Sequence, residues 1–210
     1  IGLHGRFPGA RNPDELWQNL RSGKESTVPV SVDDLAAAGL DPSLLSNPDY
    51  VPSCFFLEDA ECFDAAFFGM TPREVELMDP QQRIFIECAY GALENAGYDA
   101  SRYRGKIGVF GGIGRNPYLL ENIAPRREYQ GRLIEHSLQI GNERDFPATH
   151  VAYKLDLHGP AVNVQTACST SGVALHLACQ SLRAGDSDMV LVGGAKVLVP
   201  TRAGYLYVDG

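Results

Sequence analysis

An α/β layered fold with a mixed sheet is the class this sequence predicts, on three observations. Residues 107–110 and 188–195 are apolar runs of strand length, the kind that suits strands covered on both faces by helices. A third run, Val162-Asn163-Val164-Gln165, alternates apolar and polar behind the turn residues Gly159-Pro160. Helical patterns fall before and after each run. The last of them, Val173, Ala174, Leu175, Leu177, Ala178 and Leu182, is apolar almost all the way round and describes a helix buried inside a protein. Strands alternating with helices make a layered α/β architecture.

The remaining elements follow in chain order. Asn12-Pro13-Asp14-Glu15 opens a helix, with Asn12 as N-cap, Pro13 at the first helical position and Glu15 at capping-box spacing. Leu16, Trp17 and Leu20 give it an apolar side, and Ser22-Gly23 ends it. Residues 24–62 are rich in Ser, Pro, Asp and Gly and predict long irregular structure, with one short helix over 33–38. Residues 63–69 form an aromatic cluster. Thr71-Pro72-Arg73-Glu74 and Asp79-Pro80-Gln81-Gln82 are two further helix starts. Phe85, Cys88, Ala89, Ala92, Leu93 and Ala96 then make a stripe that Gly97 closes. Gly111-Gly112-x-Gly114 fits neither phosphate-binding pattern, G-x-G-x-x-G or G-x-x-x-x-G-K-[ST], so these glycines are read as permitting a tight turn or close backbone approach. Weak helical patterns surround Tyr118-Leu119-Leu120 and Leu133-Ile134, and a helix is expected over 145–155 with Pro147 in its first turn.

Composition removes several classes of function. The 210 residues carry a net charge of -8, from 18 Lys and Arg against 26 Asp and Glu, so no surplus of cations exists to neutralise phosphates and nucleic-acid binding is not expected. Arg126, Arg127 and Arg132 form the only basic cluster, read as a solvated face with carrier docking as the sharper alternative. The five cysteines form no C-x-x-C pair, which leaves a zinc site without support. An odd count in a chain of this size argues for free thiols and a reducing cytoplasm. No apolar run reaches the length of a membrane span.

Cys168 carries the chemistry. It stands where the 162–165 strand gives way to the apolar helix, and small neighbours Ala167, Ser169 and Ser171 leave room for a sharp turn. Ser169, Thr170 or Ser171 is a candidate helix cap. A free cysteine is most often a small buried hydrophobe. At a helix start, however, unpaired N–H groups and the positive end of the dipole favour thiolate, the nucleophilic form. The strand–Cys–helix arrangement therefore points to covalent catalysis. His176, on the same helix, is expected to be a hydrogen-bonded core residue.

The words Val-Gln-Thr-Ala-Cys-Ser-Thr-Ser at 164–171 resemble the active-site signature of β-ketoacyl synthases, the ketosynthase domains of type I modular polyketide synthases. Phe-Phe-Gly-Met-Thr-Pro-Arg-Glu at 67–74, Met-Asp-Pro-Gln-Gln-Arg at 78–83, Phe-Pro-Gly-Ala at 7–10 and Gly-Tyr-Leu-Tyr-Val-Asp at 204–209 resemble further signatures in the same order. Asp79, Gln81, Gln82 and Arg83 are read as scaffold. The resemblance implies the thiolase-like fold, and residues 1–210 as the N-terminal part of one ketosynthase domain, cut at both ends, with a mixed five-stranded sheet and a buried catalytic helix. It implies Cys168 as nucleophile, with its own backbone N–H as one oxyanion donor. No cofactor or metal would be bound directly; substrates would arrive on the phosphopantetheine of an acyl carrier protein. Other implied partners are the acyltransferase and further domains of the same megasynthase, and a second copy in a homodimer. The implied reaction is acyl transfer to Cys168, then decarboxylative condensation with a malonyl-type extender. A chain-passing ketosynthase or another thiolase-fold acyltransferase is the alternative. The histidines for decarboxylation would lie beyond the chain, since none of His4, His136, His150, His158 and His176 matches their motifs. A half-fold would also leave an apolar face bare, so the chain alone is expected to be poorly soluble.

Overall fold

The computed structural model describes residues 1–129, 135–199 and 202–209. The chain divides into two compact units, one of Gly5–Asp59 with Val197–Gly210, the other of Ile1–His4 with Ala60–Lys196.

The first unit begins with α1 (Pro13–Ser22). Asn12 Oδ1 accepts the Glu15 N–H at 2.8 Å, the Glu15 carboxylate accepts the Arg11 N–H at 2.9 Å, and left-handed Gly23 closes the helix. The Ser/Pro/Asp-rich stretch then supports only short elements: β1 (Val28–Pro29), α2 (Val32–Ala37), β2 (Tyr50–Val51) and β3 (Ser53–Cys54). β1 pairs antiparallel with β3. Val30, Leu35, Tyr50 and Cys54 form this unit's core, where burial pushes the Cys54 thiol up from its ordinary value.

The second unit carries the layered sheet. Thr71 and Glu74 make the reciprocal capping box that starts α3 (Pro72–Glu76). Asp79 accepts the Gln81 N–H at 2.9 Å and starts α4 (Pro80–Asn95), and Gly97 follows it with φ 77°. β4 (Ile107–Ile113) is buried throughout. Beyond it come a π-type turn at Leu119–Ile123, α5 (His136–Asn142) and α6 (Pro147–Lys154). β5 (Ala161–Asn163), α7 (Thr170–Ala184) and β6 (Met189–Ala195) complete the unit. The chain returns to the first unit as β7 (Tyr205–Leu206), antiparallel to β2. Leu133, Ile134 and Arg132 lie outside the described residues.

Among the described residues the sheet has three strands, ordered β5-β4-β6 and parallel throughout. The layered α/β class stands, but the expected five strands of mixed direction are not formed among the described residues. Each step from one of these strands to the next runs through a helix, so no hairpin supplies an antiparallel neighbour. One face packs Phe85, Ile86, Ala89 and Leu93 of α4 and Ala148 and Val151 of α6 against Ile107, Val109 and Leu191. The other packs Ala174 and Ala178 of α7 against Phe110, with Val164 beside them.

The buried catalytic helix is a second correction. α7 buries only Ala174, Ala178 and Ser181; Leu175 is 55% exposed, Leu182 40%, and His176 is exposed rather than set in the core. The all-round apolar pattern records a helix meant to be covered, and this chain covers one side of it.

Candidate active site

The site is assembled at the C-terminal end of the parallel sheet. Glycines at two adjacent registers, Gly111 opposite Gly193 and Gly112 opposite Gly194, leave both faces of the sheet open there. A Cβ on Gly111 would stand 2.6 Å from Phe85 Cζ, so α4 fills that face. A Cβ on Gly112 would stand 3.0 Å from Thr170 Cγ2 and nearer still to the Val164 carbonyl; one on Gly194 would stand 3.1 Å from Ser171 Oγ. Close approach, the second of the two sequence readings, is what these glycines provide: the first turn of α7 lies directly on the sheet.

Cys168 sits in a single 3-10 turn, Ala167–Ser169, between β5 and α7, and it is exposed. Ala167 has φ 53°, a left-handed conformation that costs a residue with a Cβ about 1–2 kcal/mol. Hydrogen bonds hold it there. Thr166 N donates to Thr170 Oγ1 at 3.1 Å, that hydroxyl donates to the Ala167 carbonyl at 2.8 Å, and Ser169 Oγ donates to the Thr166 carbonyl at 2.8 Å. The expected capping role is thus displaced. Ser169 occupies the N-cap position of α7 without a side-chain cap bond, and the hydroxyls brace the turn itself. The exposed thiol thus stands beside a strained residue, on a turn fixed from both ends.

A buried polar network stands behind the sheet end. Asp79, Gln81, Gln82 and Arg83 are all buried, as expected of scaffold groups. Gln81 Oε1 accepts the Gly114 N–H at 3.1 Å while Nε2 donates to Asp79 Oδ2 and the Arg115 carbonyl, both at 2.9 Å, tying the exit of β4 to α4. Gln82 Nε2 donates to the carbonyls of Ile140 and Glu143, which leaves Oε1 to accept from His150 Nδ1 at 3.1 Å and fixes the proton on that nitrogen. Burial, with help from the Lys154 charge, pushes His150 down to about 4, while Glu74 opposes the shift. Burial pushes Asp79 up to about 6 against its bonds from Gln81. The sequence reading assigned His150 no role, and no local spacing signals its partner, 68 residues away. In the basic cluster, Arg126 is engaged with Glu76, which also pairs with Arg73. Among the described residues no helix is long and apolar enough to cross a membrane, and no group of His, Cys, Asp and Glu is placed to hold a metal ion.

Comparison with solved structures defines the class. Ketosynthase twelve of the bacillaene polyketide synthase of Bacillus amyloliquefaciens superposes with a TM-score of 0.85 at 35% identity, covering 100% of this chain and 36% of that one. The module 1 ketosynthase of the bacillaene synthase from the same species superposes at 0.78 with 31% identity, covering 99% and 35%. The fold is therefore thiolase-like, as in ketosynthase domains. The sequence matches the family model "Beta-ketoacyl synthase, N-terminal domain" over residues 1–208, and the chain belongs to the β-ketoacyl synthase family. It is 44% identical over 216 residues to one of the subunits of the phenolphthiocerol/phthiocerol polyketide synthase of Mycobacterium tuberculosis. It is 40% identical over 226 residues to an erythronolide synthase of Saccharopolyspora erythraea. The whole chain is aligned in both cases, yet it spans only 14% and 7% of those relatives.

Proposed function

We propose that this chain is the N-terminal part of the ketosynthase domain of a modular polyketide synthase, and that Cys168 is its acyl-accepting nucleophile. The observation that carries this is the exposed Cys168 thiol on the strained turn between β5 and α7. In the first half-reaction the Cys168 thiolate attacks the thioester carbonyl of an acyl chain on the phosphopantetheine arm of a carrier protein. A C–S bond forms to Cys168, the original C–S bond breaks, and the departing thiolate takes up a proton. The Cys168 backbone N–H, in the 3-10 turn that leads into α7, supports the oxyanion that forms in between. In the second, a malonyl-type extender loses carbon dioxide. Its carbanion attacks the acyl-Cys168 carbonyl, a C–C bond forms, and Cys168 leaves as thiolate. Dividing one hard condensation in this way gives two easier steps. The decarboxylating histidines come from the remainder of the domain. The bare face of α7, with Leu175, Leu177 and Leu182, is where that remainder packs. The carrier protein, the acyltransferase and a second ketosynthase copy are the partners this reading assigns.

The test uses the full-length synthase. Incubation with an acyl-pantetheine thioester, followed by peptide mass mapping, places the acyl group on Cys168; Cys62 and Cys179, also exposed, remain free and serve as internal comparators. Cys168→Ala abolishes loading. Acylation that survives Cys168→Ala refutes the assignment. Supplying the malonyl-carrier then gives carbon dioxide and the lengthened chain, whereas release of the unextended acyl group alone marks a chain-passing domain.

A further inference from the structure

We propose that Asn163 is a positioning residue for Cys168, gripping the strand that delivers the turn by bridging it to the start of α6; this rests on reading Cys168 as the acyl-accepting nucleophile. Side chains alternate along β5. Ala161 packs with the core shared by α4 and α6, and Val164 packs on the α7 side, so Asn163 faces α6. The first turn of α6 needs a partner there. Phe146 at its N-cap offers no side-chain acceptor, and Pro147 has no N–H, which makes Ala148 N the first donor the helix leaves unpaired. Asn163 Oδ1 accepts that N–H at 2.9 Å. Asn163 Nδ2 donates to the Asp145 carbonyl. One carboxamide thus satisfies a donor and an acceptor on either side of Phe146, as an N-cap delivered from a neighbouring strand.

The location of this bridge gives it its consequence. β5 ends at Asn163, and its last ladder bond is Val164 N to the Gly111 carbonyl at 2.8 Å. Gln165 adds a long bond, Nε2 to the Arg144 carbonyl at 3.5 Å. Strained Ala167 and Cys168 follow directly. The segment is held by Gly111 on one side and by α6 on the other. With the Asn163 bridge released, the exit of β5 keeps the Val164 ladder bond and the long Gln165 bond but loses its grip on the first turn of α6, and the turn that carries the thiol shifts with it. Misplacement of a reacting group by about 1 Å lowers turnover on the order of 10²-fold.

Asparagine is specific for this task. Alanine removes both bonds. Aspartate keeps the bond from Ala148 N but turns its second oxygen on the Asp145 carbonyl, unless it is protonated and can donate there. The experiment compares wild-type full-length synthase with Asn163→Ala, Asn163→Asp and Cys168→Ala in two reactions: single-turnover acylation from an acyl-pantetheine thioester, and alkylation of Cys168 by iodoacetamide. Acylation needs a defined approach to a bound carbonyl; iodoacetamide approaches the thiol freely. Asn163→Ala lowers the acylation rate by about 10- to 100-fold, leaves KM for the thioester unchanged, and leaves alkylation within a few-fold of wild type. Asn163→Asp matches Asn163→Ala at neutral pH and recovers toward wild type as the pH falls through its carboxyl titration, a step the wild type lacks. Equal losses in both reactions, or acylation of Asn163→Ala at the wild-type rate, overturn the proposal. Acylation retained in Cys168→Ala overturns the underlying nucleophile assignment instead, and so tells the two failures apart.

Discussion

A methyl group added to Gly112 puts the architecture of the site under direct test. The new Cβ would lie 3.0 Å from Thr170 Cγ2 and closer to the Val164 carbonyl oxygen, against an ordinary carbon–carbon separation of about 3.5–4.0 Å. Neither wall yields easily. Val164 is buried and its N–H is bonded to the Gly111 carbonyl at 2.8 Å; Thr170 is pinned by its bonds to Thr166 N and the Ala167 carbonyl. Thr170 has to retreat by about half an ångström and the Val164 peptide by more, at an overpacking cost of about 1–3 kcal/mol. These walls are the strand exit and the helix entry that flank Cys168. Gly112→Ala therefore slows acylation of Cys168 by about 10²-fold in addition to destabilising the domain. Gly193→Ala is the matched control. Its Cβ would meet Phe85 Cε2 at 3.0 Å, on the face away from α7, where a ring edge can shift. Denaturant unfolding and single-turnover acylation of both variants, in the full-length synthase under conditions where each is folded, separate the two effects. If Gly112→Ala acylates as fast as Gly193→Ala, the close seating of α7 on the sheet does not set the position of the thiol, and the reasoning fails.

Three further outcomes are expected. Thr71→Ala removes the hydroxyl of the α3 capping box and lowers domain stability by about 1 kcal/mol, whereas Thr71→Ser retains most of it, as unfolding curves will show. His150 is held at about 4, below its unfolded value of 6.5, so its contribution is complete above pH 6.5 and is lost as the pH falls toward 4; the wild-type stability advantage over His150→Gln shrinks by about 3 kcal/mol across that window. Asp79, raised from 3.8 to about 6, acts with the opposite sign: its contribution is complete below pH 3.8 and is lost as the pH rises to 6, which masks the histidine in the wild type and makes the comparison with the variant the informative one. Parallel pH curves for wild type and His150→Gln would contradict the sign assigned to His150. Leu175→Glu together with Leu182→Lys reduces self-association of the isolated chain in light scattering, because both side chains lie on the bare face of α7.

Local rules made much of this fold legible. The capped start at Asn12, the helix starts at Thr71-Pro72 and Asp79-Pro80, and the left-handed glycines 23 and 97 are all decided by residues within a few positions of one another, and each is found where the sequence puts it. The strand–Cys–helix joint was legible for the same reason. Exposure was not. Leu175, His176 and Leu182 sit on a helix whose pattern says it should be covered, and a pattern does not say by what. Strand number was equally hidden, because it depends on which segments meet rather than on what each prefers. The polar partners of the site escaped detection through distance. Gln82 and His150 are 68 residues apart, Asn163 and Asp145 are 18 apart, and neither pair has a spacing rule.

The glycine pairs show how a local choice becomes a functional geometry. Because β4 and β6 are parallel and in register, Gly111 faces the same side as Gly193, and Gly112 the same side as Gly194. One pair opens the sheet to Phe85 of α4, the other to Thr170 and Ser171 of α7. With α7 pressed onto the sheet end, little room separates the exit of β5 from the first helical residue, and the chain crosses that gap in one 3-10 turn. The chain enters that turn through one left-handed residue, and Ala167 takes it, small enough to bear the strain. The next side chain is then directed outward, and it is Cys168. A larger residue at 112 or 194 would lift α7, lengthen the crossing and relax Ala167 together. Packing at the sheet, strain at Ala167 and presentation of the thiol are therefore one property, which is why a substitution buried beneath α7 is expected to be read out at the sulfur.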